Sequence, residues 1–250
     1  MIRAIVVSLF LALYILVLGP PYILHCLLTR RPDVLYFVGL GGAKLAMRLS
    51  GIRVRAEGLE NIPPGVCLFV GNHTSNVDPP AVAAAIPRRV ALLGKKEVFR
   101  IPILGRALLL VNFVPVDRAD REAAAASVEM AIQHLRDGVS FLIFPEGTRS
   151  PDGRLRSFKK GTFVMAIKAG VPIVPVSVID AHKRMARRST VISPGEVRVR
   201  FHKPVSPEGY TLERRAELSR KVFDAVASGL PADQKPHDSV IAEDAAEASP

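Results

Sequence analysis

The sequence predicts an α/β domain, with a largely parallel or mixed central sheet flanked by helices, behind an N-terminal apolar helical segment. Three observations carry this expectation. Residues 4–18 are apolar throughout except for Ser8. Beyond Gly51 the pattern changes to short runs rich in Val, Ile and Phe, most of them bounded by Gly or Pro, which is strand composition. Between these runs lie stretches with helical spacing of apolar residues. Strand–helix alternation of this kind builds a sheet with helices packed on its faces.

The N-terminal segment comes first. Gly19-Pro20-Pro21 interrupts the apolar run, and residues 22–28 resume it with His25 as the one readily ionisable group. A secretory leader would pair the basic Arg3 with such a run, but Gly-Pro-Pro stands where a small-residue cleavage site should follow. A straight membrane span needs about twenty apolar residues. Continuing through the proline pair reaches that length, with a kink at Pro20 or Pro21. A second helical stretch, residues 35–49, keeps Lys44 and Arg48 on its polar side. One kinked span, a pair of helices dipping into one leaflet, and a buried structural helix all fit this pattern. In either membrane arrangement Arg30, Arg31 and Arg48 favour the cytoplasmic side. The mean hydropathy of +0.25 comes largely from this segment.

The body follows. Residues 54–57, 66–70, 90–93, 112–116, 139–144, 173–179 and 197–201 read as strands. Residues 79–86, 106–110, 121–137, 158–169 and 212–228 read as helices. The clearest is 121–137, with Val128, Ile132 and Leu135 on one stripe and Gly138 as its stop. Residues 231–250, rich in Ala, Ser, Pro and acidic groups, read as a disordered acidic tail. The expected organisation is a membrane-associated segment at 1–50, an α/β domain at 51–230 and the tail at 231–250.

The formal charge is +11, and residues 231–250 carry one Lys against five acidic groups, which leaves +15 on the remainder. A body that basic suits an anionic partner: a nucleic acid, an anionic membrane or a phosphorylated substrate. Nucleic acid fits poorly, because there is no Trp, only 6% aromatic residues, and no stacking platform or recognition motif. Cys26 and Cys67 form no metal-spaced cluster and no CxxC pair; buried free thiols are their simplest reading.

Two loops carry chemistry. Asn72-His73-Thr74-Ser75-Asn76-Val77-Asp78-Pro79-Pro80 joins an apolar strand to a helix. Asp can cap a helix and Pro is tolerated at its first position. In a turn, the five-residue separation also lets the Asp78 carboxylate reach back to the His73 imidazole. Asp78 would then set the ring's tautomer and orientation, and His73 would act as a general base. From this segment alone, a capping Asp beside an exposed His is the simpler reading. The second loop, Pro145-Glu146-Gly147-Thr148-Arg149-Ser150, follows the strand at 139–144, at the strand end where ligands bind in open α/β sheets. Gly147 permits close backbone approach, Thr148 offers a hydroxyl, and Arg149 offers a planar two-pronged donor for phosphate. Glu146 could accept from a hydroxyl or hold an arginine. A solvated turn remains the bland alternative, since Ser-Pro-Asp-Gly follows.

Together, in this order, the two loops resemble those of the glycerolipid acyltransferases, which carry an Asn-His-x-x-x-x-Asp block and a Phe-Pro-Glu-Gly-Thr-Arg-Ser block. Both are intact here, at 72–78 and 144–150. Two weaker blocks are similar as well. Residues 112–118 end in Arg118, though their Val-Pro-Val is a loose fit to the usual bulkier run, and 171–176 look like the fourth block. The resemblance covers roughly 51–201. It implies that His73 is the base and Asp78 its partner. It implies that Arg118, Glu146, Gly147, Thr148 and Arg149 hold the acceptor's phosphate and glycerol, and that the acyl group comes from acyl-CoA or acyl-carrier protein. The implied reaction makes phosphatidate by acylating the sn-2 hydroxyl of lysophosphatidate at a membrane, with no acyl-enzyme, metal or cofactor. Consistent with that, the sequence has no GxSxG elbow and no clustered Cys or His. Another lysophospholipid, an ornithine-type lipid or glycerol phosphate as acceptor, or a non-catalytic lipid-binding role, are the alternatives. Asn72 and Lys95 are further candidate contacts. Arg154, Arg156, Lys159 and Lys160, and then Lys183, Arg184, Arg187 and Arg188, form basic clusters. A solvated face is the usual meaning of such runs; anionic headgroups or an acidic carrier protein are the functional one.

Overall fold

A computed structural model describes residues 2–117 and 119–240; the side chain of Arg121 is also outside the described set. Arg118 and residues 241–250 therefore lie outside the described residues.

Helix α1 (Ile2–Thr29) runs without interruption through Pro20 and Pro21. At 1.5 Å per residue it is about 42 Å long, enough to cross a bilayer core. It is the one described helix with both the length and the apolarity to do so. Arg30, in the left-handed region at φ 56°, turns the chain into α2 (Pro32–Leu49), which has Pro32 in its first turn. The two helices pack on each other. The Tyr14 hydroxyl donates to the Val38 carbonyl at 2.9 Å, and Gly42 lets the Tyr14 ring lie against the α2 backbone. Leu9, Leu13, Leu16, Phe37 and Leu45 point outward and stay exposed. That leaves a broad apolar surface with nothing covering it.

Strands β1 (Ile52–Glu57), β2 (Leu68–Gly71), β3 (Val90–Lys95), β4 (Val114–Val116), β5 (Ser140–Ile143), β6 (Ile173–Ile179) and β7 (Gly195–Phe201) form one sheet in the order β1-β7-β6-β2-β5-β3-β4. All neighbouring pairs are parallel except β6 with β7, so the sheet is mixed. Strands β2, β5 and β6 are buried on both faces, which explains why they read as near-continuous apolar runs rather than alternating ones. The remaining helices are α3 (Asp78–Ala85), α4 (Leu104–Leu110), α5 (Arg121–Arg136), α6 (Gly161–Ala169), α7 (Ala181–Arg184) and α8 (Arg215–Ser228). Leu68, Val70, Phe141 and Ile143 face the core made with α5, α6 and α8. Phe69, Leu142, Val174 and Val176 face the opposite core, made with α2 and α3.

This arrangement places the site. Chain leaving β2 enters α3 on one face and reaches β3 beyond β5. Chain leaving β5 enters α6 on the other face and reaches β6 beyond β2. The loops after these adjacent strands diverge, and such a switch point opens a crevice at the carboxyl ends of the strands.

Three expectations need correction. The strand expected from 112 starts at Val114, because Asn112 takes φ 70°. The helix expected from 158 starts at Gly161, since the Lys159 amide donates across to the Pro145 carbonyl. The tail expected from 231 is not a tail as far as Val240: Gln234 is completely buried and Pro236 is buried.

The Gly42→Leu variant tests the α1–α2 contact. A Cβ there would sit 2.6 Å from a Tyr14 ring carbon, so the helices must part. We expect faster tryptic cleavage after Arg30 in detergent, with an unchanged rate elsewhere in the body; equal cleavage rates would show that the contact does not hold the pair together.

Candidate active site

The loop after β2 is held at every turn. Asn72, fully buried, donates from Nδ2 to the Val178 carbonyl (2.9 Å) and accepts from the Val178 amide at Oδ1 (2.7 Å). It thus continues the β2–β6 pairing by one side chain. His73 follows. Its backbone amide donates to Glu146 Oε1 at 2.8 Å, and its carbonyl accepts from the Ser150 amide at 2.8 Å. Its ring stacks on Phe144, with centroids 4.5 Å apart and planes at 24°.

Asp78 closes the turn. Its carboxylate is completely buried, and Oδ2 lies 2.8 Å from His73 Nδ1. The same oxygen accepts from the Thr74 amide (2.6 Å) and the Ser75 amide (2.7 Å). The expected helix cap is absent: Asp78 starts α3, but its side chain bonds backwards into the turn. A carboxylate at Nδ1 makes that nitrogen the donor and leaves the lone pair on Nε2. Nε2 is not sealed off and has no partner among the described residues. Orientation, tautomer and access are those of a general base.

Glu146 is also buried, and burial pushes its carboxyl well above the usual range. The bond from the His73 amide opposes this, while the nearby Asp78 charge adds to it and Arg156 counters it. Oε2 of Glu146, Oδ1 of Asp78 and Oγ1 of Thr74 are buried without a partner among the described residues. The sequence suggested a hydroxyl or an arginine as the partner of Glu146; the structure turns Oε1 to the His73 backbone.

The other expected residues lie as follows. Gly147 takes φ 72°, and a Cβ on it would meet the Lys159 side chain at 2.9–3.0 Å. Thr148 and Arg149 are half-buried on the same loop, and Arg149 has no ion-pair partner among the described residues. Lys95 ends β3, at the same end of the sheet, but its ammonium is well exposed and pairs with Glu97 at 3.4 Å. Arg118 is outside the described residues. Sequence reasoning missed Lys159 and Arg156, which it placed only in a basic run. The run Phe158-Lys159-Lys160-Gly161, directly before α6, was the one available signal.

Beside the loops lies an apolar cavity of about 390 Å³. Pro79 and Pro80, next to Asp78, form one wall, and Leu18, Leu40, Leu104 and Phe113 contribute to others. Tyr14 and Tyr36 are the only lining residues with a polar side chain. A flexible hydrocarbon fits such walls, and nothing there would solvate a charge.

The family model for acyltransferases matches residues 53–179. The chain belongs to the acyltransferase family. A 1-acyl-sn-glycerol-3-phosphate acyltransferase of Limnanthes douglasii is 30% identical over 198 residues, covering 79% of this acyltransferase and 69% of that protein. A chloroplastic 1-acyl-sn-glycerol-3-phosphate acyltransferase of Arabidopsis thaliana is 37% identical over 156 residues, 61% of this chain and 44% of its own length. The crystal structure of PlsC, the 1-acyl-sn-glycerophosphate acyltransferase of Thermotoga maritima, matches with TM-score 0.75 and 32% identity, covering 91% of this acyltransferase and 95% of that one. That likeness extends to the mixed α/β sheet and its helices.

The raised carboxyl of Glu146 has a thermodynamic consequence. A proton held more tightly in the folded chain stabilises it fully below the ordinary carboxyl value of 4.5. That contribution is lost as pH rises through the folded value. Stability of the wild type should therefore fall on this limb, and Glu146→Gln should flatten it while keeping an acceptor for the His73 amide. Denaturant midpoints measured from pH 4 upward decide the point; parallel curves for the two proteins would refute it.

Proposed function

We propose that this acyltransferase moves a fatty acyl group from a thioester to the sn-2 hydroxyl of lysophosphatidate, forming phosphatidate. The observation that carries the reading is the His73–Asp78 contact of 2.8 Å, set between a cationic loop and an apolar cavity. The names of the relatives from Limnanthes and Arabidopsis and of the Thermotoga structure support the same acceptor.

The reaction needs no covalent enzyme intermediate. His73 Nε2 takes the proton of the acceptor hydroxyl as its oxygen attacks the thioester carbonyl. The tetrahedral intermediate collapses, the carbon–sulfur bond breaks, and the imidazolium returns the proton to the departing thiolate. Asp78 keeps the ring oriented and stabilises its charged form. Arg149, Lys159 near Gly147 and Arg156 near Glu146 offer charge for the acceptor's phosphate, and Arg118 is a fourth candidate. Holding the phosphate fixes the hydroxyl near the base, which is a proximity contribution. The apolar cavity suits an acyl chain.

Acyl-CoA or acyl-carrier protein supplies the thioester in this reading. The exposed apolar faces of α1 and α2 enter an anionic membrane, which keeps the body, and the site, at the cytoplasmic surface. An acceptor drawn from the bilayer need not cross water to reach His73.

His73→Ala should lower kcat by about 10²–10⁴-fold with the fold intact by circular dichroism, in an assay of purified protein in anionic vesicles. Acyl transfer at the wild-type rate would remove the mechanism. A strong preference for headgroup-bearing lysophospholipids over lysophosphatidate would move the acceptor assignment.

A further inference from the structure

The segment after α8 crosses back over the body and ends against the two loops that border His73. Most of it is exposed, yet Gln234 within it is completely buried. Burying an amide without partners costs about 1–3 kcal/mol, and both polar atoms of this one are bonded. Gln234 accepts at its backbone carbonyl from the Leu155 amide at 3.0 Å. Its Oε1 accepts from the Asp180 amide at 3.1 Å, and its Nε2 donates to Asp180 Oδ1 at 2.8 Å.

Both partners lead to the site. Asp180 is the residue that turns the chain off β6, at φ 66°, a backbone state that costs energy for a non-glycine residue. Gln234 ties down both of its polar ends. From there α7 delivers Met185, whose carbonyl accepts from Ser75 Oγ at 2.7 Å, and the Ser75 amide is one of the donors to Asp78. On the other side, Leu155 follows the Glu146 loop. Asp152 there accepts from Ser150 Oγ (2.8 Å), and the Ser150 amide donates to the His73 carbonyl. The segment holds this side twice more: His237 Nε2 lies 3.0 Å from Asp152 Oδ2, and the Lys235 carbonyl accepts from Arg154 at 3.2 Å. Lys183 adds a tie from α7 to Asp233 at 2.9 Å.

We propose that Gln234 and His237 are positioning residues for acyl transfer: residues 231–237 form a strap that holds the β6–α7 loop and the Glu146 loop in the register that fixes the His73–Asp78 turn. Neither residue reaches the dyad itself. The Gln234 side chain acts on kcat, because its bonds go to Asp180 and so to the Ser75 side of the turn, while the backbone tie to Leu155 keeps the loop that carries Arg149 in place. This inference rests on the acyltransferase reading.

Gln234→Met keeps the volume of the side chain and removes its two hydrogen bonds to Asp180. We expect kcat to fall about tenfold, as small misplacements of a catalytic group do, with KM changed less than twofold. Gln234→Glu alone sets a carboxylate against Asp180 and should be at least as impaired. Combining it with Asp180→Asn restores the pair with its polarity reversed, the new amide donating to the new carboxylate, and should recover most of kcat. A folded Gln234→Met protein with wild-type kcat, or a reversed pair no better than Gln234→Glu alone, would overturn the proposal. If Gln234→Met fails to fold, His237→Ala decides instead, since that side chain is 55% exposed and outside the core: a several-fold fall in kcat supports the strap, and an unchanged kcat refutes it. A wild-type protein with no acyl transfer would be a failure of the functional reading, visible before any variant is made.

Discussion

The structure of the site depends on one buried oxygen. Asp78 Oδ2 gathers the His73 ring, the Thr74 amide and the Ser75 amide. A carboxylate with no contact to water is costly unless donors surround it. Here the donors are the backbone of its own turn, with the first turn of α3 adding its dipole. The turn can therefore take one shape only, and His73 has one place within it. Removing the carboxylate would free both amides as well as the ring, so ring orientation and loop conformation are a single constraint.

The surrounding elements meet that constraint from three sides. β6 holds Asn72, the loop after β5 holds the His73 amide and carbonyl, and the chain after α7 holds Ser75. The same crevice separates two environments. Toward α6 lie Gly147 and Lys159, on the polar side of the crevice. Toward α1, α2 and α4 lies an apolar cavity that suits hydrocarbon. α1 and α2 supply cavity wall, so the most apolar part of the chain also shapes the space beside His73.

Much of this was legible in the sequence, for identifiable reasons. Strands β2, β5 and β6 announce themselves because burial on both faces favours near-continuous apolar runs. His73 and Asp78 announce themselves because a local turn brings together residues already close in sequence. What stayed hidden is tertiary. Asn72 looked like a possible substrate contact, and its partner Val178 lies far along the chain. Lys159 reaches Gly147 only because residues 154–160 fold back across the loop. Residues 231–240 have the composition of a tail, and composition averages away the buried Gln234 that helps to hold them down. The cavity is built from helices that no sequence window spans.

Glu146 shows how the parts bear on one another. Two carboxyls sit in one buried crevice, and both cannot carry charge cheaply. Three donors converge on one oxygen of Asp78, whereas Glu146 receives one amide. The negative charge is better solvated at Asp78, and burial moves Glu146 toward its neutral form. That division suits general-base chemistry, because the donors gather on the carboxyl that contacts the ring. A neutral Glu146 still accepts from the His73 amide, so its structural bond survives the loss of its charge.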